Sequence, residues 1–132
     1  KVAEYLSKSE YVSKVVYPGF HEGENKKRTQ KYLQDGNGSL VGFELKDGFE
    51  AGKLFINNLK LLYHVANIGD SRSLAIHPAS TTHSQLSLED QLKSGVTPGY
   101  IRLSVGIEHI EDIILDIQQA LVSSKEKVKN VT

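Results

Sequence analysis

The sequence predicts a fold of the α/β class, of the α+β type: one small, largely antiparallel sheet with helices packed on one face. Three observations support this prediction. Strand-like and helical segments follow one another in the order β-α-β-α-β-β-α-β-α. The link between the third and fourth strands is too short to hold a helix, which favours antiparallel pairing. A C-terminal helix with isoleucines at steps of three and four offers an apolar face to cover the sheet.

In the first half of the chain, turn residues separate the predicted elements. Pro18 ends the first strand, and the Asp-Gly-Asn-Gly run at 35–38 ends an exposed helix, because Gly and Asn tolerate positive φ. Asp47 and Glu50 have the spacing of a capping box. The predicted elements are a weak helix at 2–8, a strand at 11–17, an exposed helix at 25–34, a strand at 39–45 and a helix at 48–59.

The second half is predicted to contain three strands and two helices. Ser87 and Asp90 repeat the capping-box spacing at the start of the shorter helix. A polar loop at 79–86 precedes that helix, and the polar tail after Ser124 is expected to fray. The predicted elements are strands at 61–66, 73–77 and 100–105, a short helix beginning at 87, and the C-terminal helix at 110–123.

Composition excludes several classes of function. The 132 residues suit one domain, and Lys plus Arg equals Asp plus Glu at 16 each, without the basic excess typical of nucleic-acid binders. No apolar run approaches the about 18 residues of a membrane helix. The absence of cysteine excludes thiolate chemistry and fits a reducing cytoplasm. Because residue 1 is Lys and no methionine occurs, we expect the chain to be a piece of a larger protein.

Arg102 is the first candidate functional residue. In strand geometry it shares a face with Ser104, opposite Ile101, Leu103 and Val105. The pattern alone favours an exposed strand residue or a structural ion pair. The functional alternative is a fork for a carboxylate, since the paired N–H donors of a guanidinium match two carboxylate oxygens.

Two further features have a structural and a functional interpretation. His77 and His83 lack the companions that a metal site needs, so we expect them to pack and to form hydrogen bonds. The Asn-Ile-Gly run at 67–69 joins two predicted strands and is either a plain turn or a polar side chain and an N–H group offered to an anion. The pattern does not decide between these two.

Four motifs, taken in order, resemble a known family. They are Tyr-Pro-Gly at 17–19, Asn-Ile-Gly-Asp at 67–70, His-Pro-Ala-Ser-Thr-Thr-His-Ser at 77–84 and Ile-Arg-Leu-Ser-Val-Gly-Ile-Glu at 101–108. The chain resembles the C-terminal domain of the Cys/Met-metabolism PLP enzymes, which include cystathionine γ-synthase, cystathionine lyases, methionine γ-lyase and the O-acetylhomoserine sulfhydrylases. The resemblance implies that residues 1–132 are the C-terminal, substrate-carboxylate-binding domain of a fold-type I PLP enzyme.

Within this family, the chain is most similar to the O-acetylhomoserine sulfhydrylases. The marks are residues 59–61, 66–70, the Thr pair at 81–82 and the Gly-Val-Thr-Pro run at 95–98. The resemblance implies a cytoplasmic homotetramer that converts O-acetyl-L-homoserine plus sulfide or a thiol to homocysteine or methionine plus acetate. Cystathionine γ-synthase and methionine γ-lyase remain alternatives, as does a non-catalytic assembly role for the free fragment.

The resemblance also implies roles for single residues. Arg102 matches the arginine that binds the substrate α-carboxylate, and Asn67 stands where other members more often have a serine that helps to hold that carboxylate. Thr82 is expected near the entrance to the site. The Schiff-base lysine lies in a Ser-x-Thr-Lys type of segment in the family's large N-terminal domain, and this chain lacks such a segment. Pyridoxal 5'-phosphate is therefore expected on that domain, and residues 1–132 alone are not expected to bind it or to catalyse.

Overall fold

A five-stranded sheet forms the centre of the structure, a computed structural model that describes residues 1–129. The strands are β1 (Val12–Val16), β2 (Leu40–Leu45), β3 (Tyr63–His64), β4 (Leu74–Ile76) and β5 (Tyr100–Ser104). The helices are α1 (Val2–Ser7), α2 (Gly23–Tyr32), α3 (Gly48–Asn58), α4 (Leu88–Lys93) and α5 (Ile110–Lys129), with 3₁₀ turns at Pro18–Phe20 and Pro78–Ser80. The strand order is β1-β2-β5-β4-β3, so β5 is the central strand.

The helices cover one face of this sheet, as the sequence predicts. Side chains of β2 and β5 alternate, and Phe43, Ile101 and Leu103 are fully buried on the helix side. They join a core that includes Phe55 of α3 and Ile117 of α5. The phenyl rings of Phe43 and Phe55 meet edge to face with centroids 5.5 Å apart. The fold class predicted from the sequence is confirmed.

One pairing differs from the prediction. β3 and β4 run parallel, with Tyr63 opposite Leu74, whereas the short link between them predicted an antiparallel hairpin. The cause is the path of residues 65–73, which double back across the sheet instead of turning tightly. On the way, the backbone carbonyl of Asn67 accepts a hydrogen bond from the guanidinium of Arg102. The remaining three pairings are antiparallel, so the sheet is largely antiparallel as expected.

The third strand is also shorter than predicted, because residues 60–62 satisfy their backbone groups elsewhere. The carboxylate of Asp116 on α5 accepts the N–H groups of Lys60, Leu61 and Leu62 at 2.8, 2.8 and 3.0 Å. These donors are then unavailable to a sheet ladder. Only two residues of the predicted 61–66 strand pair with β4.

Helix ends match the predictions at α4 but not at α3 or α5. Ser87 caps α4, accepting the N–H of Asp90 at 3.2 Å. Asp47 precedes α3 but makes no capping hydrogen bond, because its φ and ψ of −90° and 17° are not the extended values of a capping residue. The predicted fraying after Ser124 is wrong for the described residues, since α5 continues to Lys129.

Among residues 1–129, no helix is both long enough and apolar enough to cross a membrane.

Candidate functional site

Arg102 lies in the middle of the central strand, on the face of the sheet opposite the helical core. β2 and β4 pair with β5 on either side of it, placing Gly42 and Ile76 directly opposite. Hydrogen bonding on both edges holds the backbone of a central strand in place. The sheet therefore fixes the point from which the arginine side chain extends.

The guanidinium of Arg102 keeps most of its hydrogen-bonding capacity. It makes one weak contact, from Nη2 to the backbone carbonyl of Asn67 at 3.4 Å, and the residue is partly exposed. A guanidinium has five N–H donors. No carboxylate in the described part of the chain lies within ion-pair distance of it. Of the two structural interpretations of Arg102, the ion pair is therefore not formed with any described residue.

Asn67 lies beside Arg102 in an exposed turn. Its side-chain oxygen accepts the N–H of Ile68 at 2.9 Å, and its exposed amide NH₂ has no hydrogen-bond partner within the described part of the chain. Gly69 has a φ of +74°, a conformation that favours glycine, so the turn predicted at 67–69 is present. The donor predicted for Asn67 is thus exposed, and its backbone carbonyl makes one long contact with the arginine.

Thr82 is not brought to this pair. It is exposed in the loop that follows the 3₁₀ turn at Pro78–Ser80, and its hydroxyl hydrogen-bonds to the Nδ1 atom of His83 at 2.9 Å. That 3₁₀ turn packs beside β5. No contact joins Thr82 to Arg102 among the described residues.

His77 is a buried structural residue, as the sequence analysis expects. Its Nε2 atom lies 2.7 Å from the carbonyl of Pro98, and its Nδ1 atom lies 2.9 Å from the hydroxyl of Ser80. A carbonyl only accepts, so Nε2 carries the proton and Nδ1 accepts from Ser80. Burial lowers the pKa of His77, although the Pro98 carbonyl and the Glu44 carboxylate favour the charged form. Within residues 1–129, no three His, Cys, Asp or Glu side chains are grouped as a metal site.

Arg102 has a neighbour on the open face that was not predicted from the sequence. Tyr100 lies two residues earlier on β5, and its ring leans over Gly42, where a Cβ atom would overlap its hydroxyl. Burial raises the pKa of the Tyr100 hydroxyl, while the nearby Arg102 lowers it by a smaller amount. The two-residue period of β5 could have revealed this neighbour, because it places Tyr100 on the same face as Arg102.

A second missed feature links the end of β5 to the turn that carries Asn67. The carboxylate of Glu108 accepts the backbone N–H of Ser73 at 2.6 Å and its hydroxyl at 2.8 Å. Burial raises the pKa of Glu108, but these two hydrogen bonds favour the charged form and lower the pKa overall. No local pattern predicts this contact, because the two residues are 35 positions apart.

The arrangement of Arg102 and Asn67 suits binding rather than bond breaking. It offers a positive charge, a planar set of N–H donors and a neighbouring amide, which together match a carboxylate. Neither side chain is a nucleophile or a proton acceptor near neutral pH. The pair can hold and orient one end of a substrate, and the chemistry must come from other groups.

Comparisons with known proteins find similar sequences over most of the chain. The family model described as "Cys/Met metabolism PLP-dependent enzyme" matches residues 1–122. An O-acetyl-L-homoserine sulfhydrylase of Leptospira meyeri is 52% identical over 122 residues, which are 92% of this chain and 28% of that protein. An L-methionine gamma-lyase of Fusobacterium nucleatum is 45% identical, over 92% of this chain and 30% of its own length.

A solved structure shows the same fold. The crystal structure of an O-acetylhomoserine (thiol)-lyase from Campylobacter jejuni superposes with a TM-score of 0.82 at 40% identity, covering 92% of this chain and 29% of that one. That protein contains N'-pyridoxyl-lysine-5'-monophosphate, at a position beyond the matched part. The present chain thus spans less than a third of the length of the relatives that it matches.

Proposed function

Because the chain belongs to the family of Cys/Met metabolism PLP-dependent enzymes, we propose that it is the part of a sulfhydrylase that holds the α-carboxylate of the amino-acid substrate. The observation that supports this role most directly is the guanidinium of Arg102, fixed on the central strand beside Asn67 and without a carboxylate partner among residues 1–129. A bidentate pair between a guanidinium and a carboxylate sets both the position and the angle of the bound group.

The proposed reaction uses O-acetyl-L-homoserine and sulfide or a small thiol. The bond between the γ-carbon and the acetate oxygen breaks, acetate leaves, and the sulfur bonds to the γ-carbon to give homocysteine or methionine. Pyridoxal 5'-phosphate, bound by a part of the full-length protein outside this chain, would serve as the electron sink. Arg102 and Asn67 would orient the amino-acid end of the substrate throughout, and correct orientation is worth several orders of magnitude in rate.

A methionine γ-lyase is the second candidate, favoured by the 45% identity to the Fusobacterium enzyme. Both activities would use Arg102 and Asn67 to hold the substrate carboxylate, and this pair is termed the carboxylate clamp. The activities differ in the bond broken and in the need for a sulfur donor. Product analysis of the full-length protein separates them. A sulfhydrylase releases acetate from O-acetyl-L-homoserine and forms homocysteine only with sulfide. A γ-lyase releases methanethiol from L-methionine in a reaction with water and needs no sulfur donor.

Replacement of Arg102 by alanine tests the clamp. In the full-length enzyme, Arg102→Ala should lower kcat/KM for O-acetyl-L-homoserine at least about thirtyfold, since loss of one partner of a buried charge pair costs about 2–5 kcal/mol. The content of bound pyridoxal phosphate, measured from its absorbance, should not change. Arg28→Ala removes an exposed arginine of α2 and is the matched control. Normal kcat/KM in Arg102→Ala contradicts the proposed function.

A further inference from the structure

The turn that carries Asn67 has little apolar surface to hold it in place. Residues 66–69 are all exposed, and Ile68 in particular is 53% exposed. Burial of apolar surface is the main source of stability for most segments of a folded protein. The conformation of this turn must therefore depend on specific hydrogen bonds. Those bonds lead to Arg102 and Ser104 of β5 and to residues 105–108, the segment that follows β5 and is termed the β5 extension.

Ser73 is the first point of attachment. It is fully buried, its hydroxyl donates to one oxygen of Glu108 at 2.8 Å, and its N–H donates to the other oxygen at 2.6 Å. The same hydroxyl accepts the N–H of Gly106 at 2.9 Å. Ser73 thus connects the segment after the turn to two groups of the β5 extension. These groups are the Glu108 carboxylate and the N–H of Gly106.

Two further contacts join the turn and the residues after it to the end of β5 and to the β5 extension. Gly69 donates its N–H to the hydroxyl of Ser104 at 3.1 Å, and Ile107 donates its N–H to the carbonyl of Ser71 at 2.9 Å. Gly106 permits the approach because it has no side chain. A Cβ atom there would overlap the backbone of residues 71–73. The turn and the extension are therefore closely packed along their length.

We propose that Glu108 is a positioning residue. Its carboxylate, acting through Ser73, holds the 67–69 turn over the central strand and so sets where the Asn67 amide and the Arg102 guanidinium meet the substrate carboxylate. The proposal rests on the proposed function of this site. Glu108 has no contact with Arg102 or Asn67 among the described residues, so it acts through the turn.

The chemistry of the contact requires a carboxylate rather than any polar side chain. Both oxygens of Glu108 accept hydrogen bonds, and charge-assisted bonds of this kind are about twice as strong as neutral ones. A glutamine can accept at its single oxygen, but its NH₂ group would face a second donor. Glu108→Gln therefore removes one anchor with almost no change in side-chain volume.

The test uses the full-length enzyme with three variants. Glu108→Gln removes the carboxylate and Ser73→Ala removes the hydroxyl. Glu111→Gln, at an exposed glutamate three residues further on, is the control. We expect the KM for O-acetyl-L-homoserine to rise about tenfold or more in the first two variants, because displacement of a positioning group by about 1 Å costs up to about a hundredfold. The KM for sulfide should not change, nor should pyridoxal phosphate content.

Hydrogen exchange provides a readout that does not depend on activity. The amides of Gly69 and Ser73 should exchange faster in Glu108→Gln and Ser73→Ala, while the core strand β5 keeps its protection. Unchanged exchange in the turn together with an unchanged KM overturns the proposal. If Glu108→Gln fails to fold, Ser73→Ala decides the question, since it deletes the hydroxyl that joins the turn to the Glu108 carboxylate.

The two proposals can fail separately. Normal kinetics in Arg102→Ala would contradict the carboxylate clamp itself. A strong effect of Arg102→Ala with no effect of Glu108→Gln or Ser73→Ala on KM would leave the clamp standing and overturn the positioning role of Glu108.

Discussion

Arg102 has a charge that no carboxylate of the described residues neutralises, although it lies on the central strand of the sheet. Partial exposure lowers the cost of that charge, and the carbonyl of Asn67 offers it only one long hydrogen bond. A planar set of donors held on a fixed strand beside an exposed amide is arranged in advance for an anion. Such preorganisation reduces the entropy lost when a substrate binds.

His77 leads to a prediction about pH and stability. Burial lowers its pKa in the folded protein below the ordinary 6.5, so the folded state binds fewer protons than the unfolded one. The contribution of the buried, neutral His77 ring to the free energy of unfolding is complete above pH 6.5. It is lost as the pH falls from 6.5 towards the lowered pKa of His77. Lys53, His64 and Glu44 also influence the ring, but burial has the largest effect.

Denaturant unfolding between about pH 5 and pH 7.5 measures this effect, within the range where histidine titrates. The free energy of unfolding should fall on acidification in the wild type and fall less in His77→Gln, whose side chain does not titrate. Asp70 and Glu108 have lowered pKa values and lose their contributions only at more acidic pH, through the carboxyl range. An equal slope in both proteins would show that His77 is not the group responsible.

At the scale of elements, Asp116 joins helix α5 to residues 60–62, which lie directly before β3. Its carboxylate accepts three consecutive backbone N–H groups, of residues 60–62, and the residue is 6% exposed. Asp116→Ala leaves those donors without a partner, and we expect a loss of at least about 4 kcal/mol in the free energy of unfolding, since three bonds to a charged group are lost and each is worth about 1.5–3 kcal/mol.

Urea unfolding of the same chain checks this value. Asp112→Ala, an exposed aspartate in the first turn of α5, is the matched control and should cost about 0.5 kcal/mol through the helix dipole alone. Equal losses in the two variants would mean that the backbone donors of residues 60–62 find other partners without Asp116.

The same contact explains why the length of β3 could not be predicted from the sequence. Apolar alternation and turn residues located β1, β2, β4 and β5 within a residue or two, because those signals are local. The strand predicted at 61–66 was shortened by Asp116, which is more than 50 positions away. Its parallel pairing depends on the path of residues 65–73, which no local pattern specifies.

At the scale of the whole molecule, some features of the site could be predicted from local sequence patterns and others depend on contacts between distant residues. The alternation along β5 predicts that Arg102 and Ser104 share a face, and the Asn-Ile-Gly run predicts a turn at 67–69. The structure brings Arg102 and Asn67 together. The attachment of that turn through Ser73 and Glu108 joins segments 35 residues apart and could not be predicted from spacing. The role predicted for Thr82 stays a prediction, because no described contact joins it to Arg102.

The chain covers 28% of the Leptospira sulfhydrylase, so its proposed role is one part of a larger site. It would bind the amino-acid end of a substrate, and the remainder of the full-length protein would provide the cofactor and the acid–base groups. Remote binding groups of this kind raise the rate only when they hold the reacting bond in the correct orientation. The central claim therefore concerns recognition of a carboxylate, measured in the full-length enzyme.

The most direct test compares two substrates in two proteins: O-acetyl-L-homoserine and its α-carboxamide, with the wild type and with Arg102→Ala. We predict that the wild type prefers the carboxylate in kcat/KM by at least about thirtyfold. We also predict that Arg102→Ala loses this preference while it retains its pyridoxal phosphate. A variant that still prefers the carboxylate as strongly as the wild type would contradict the account.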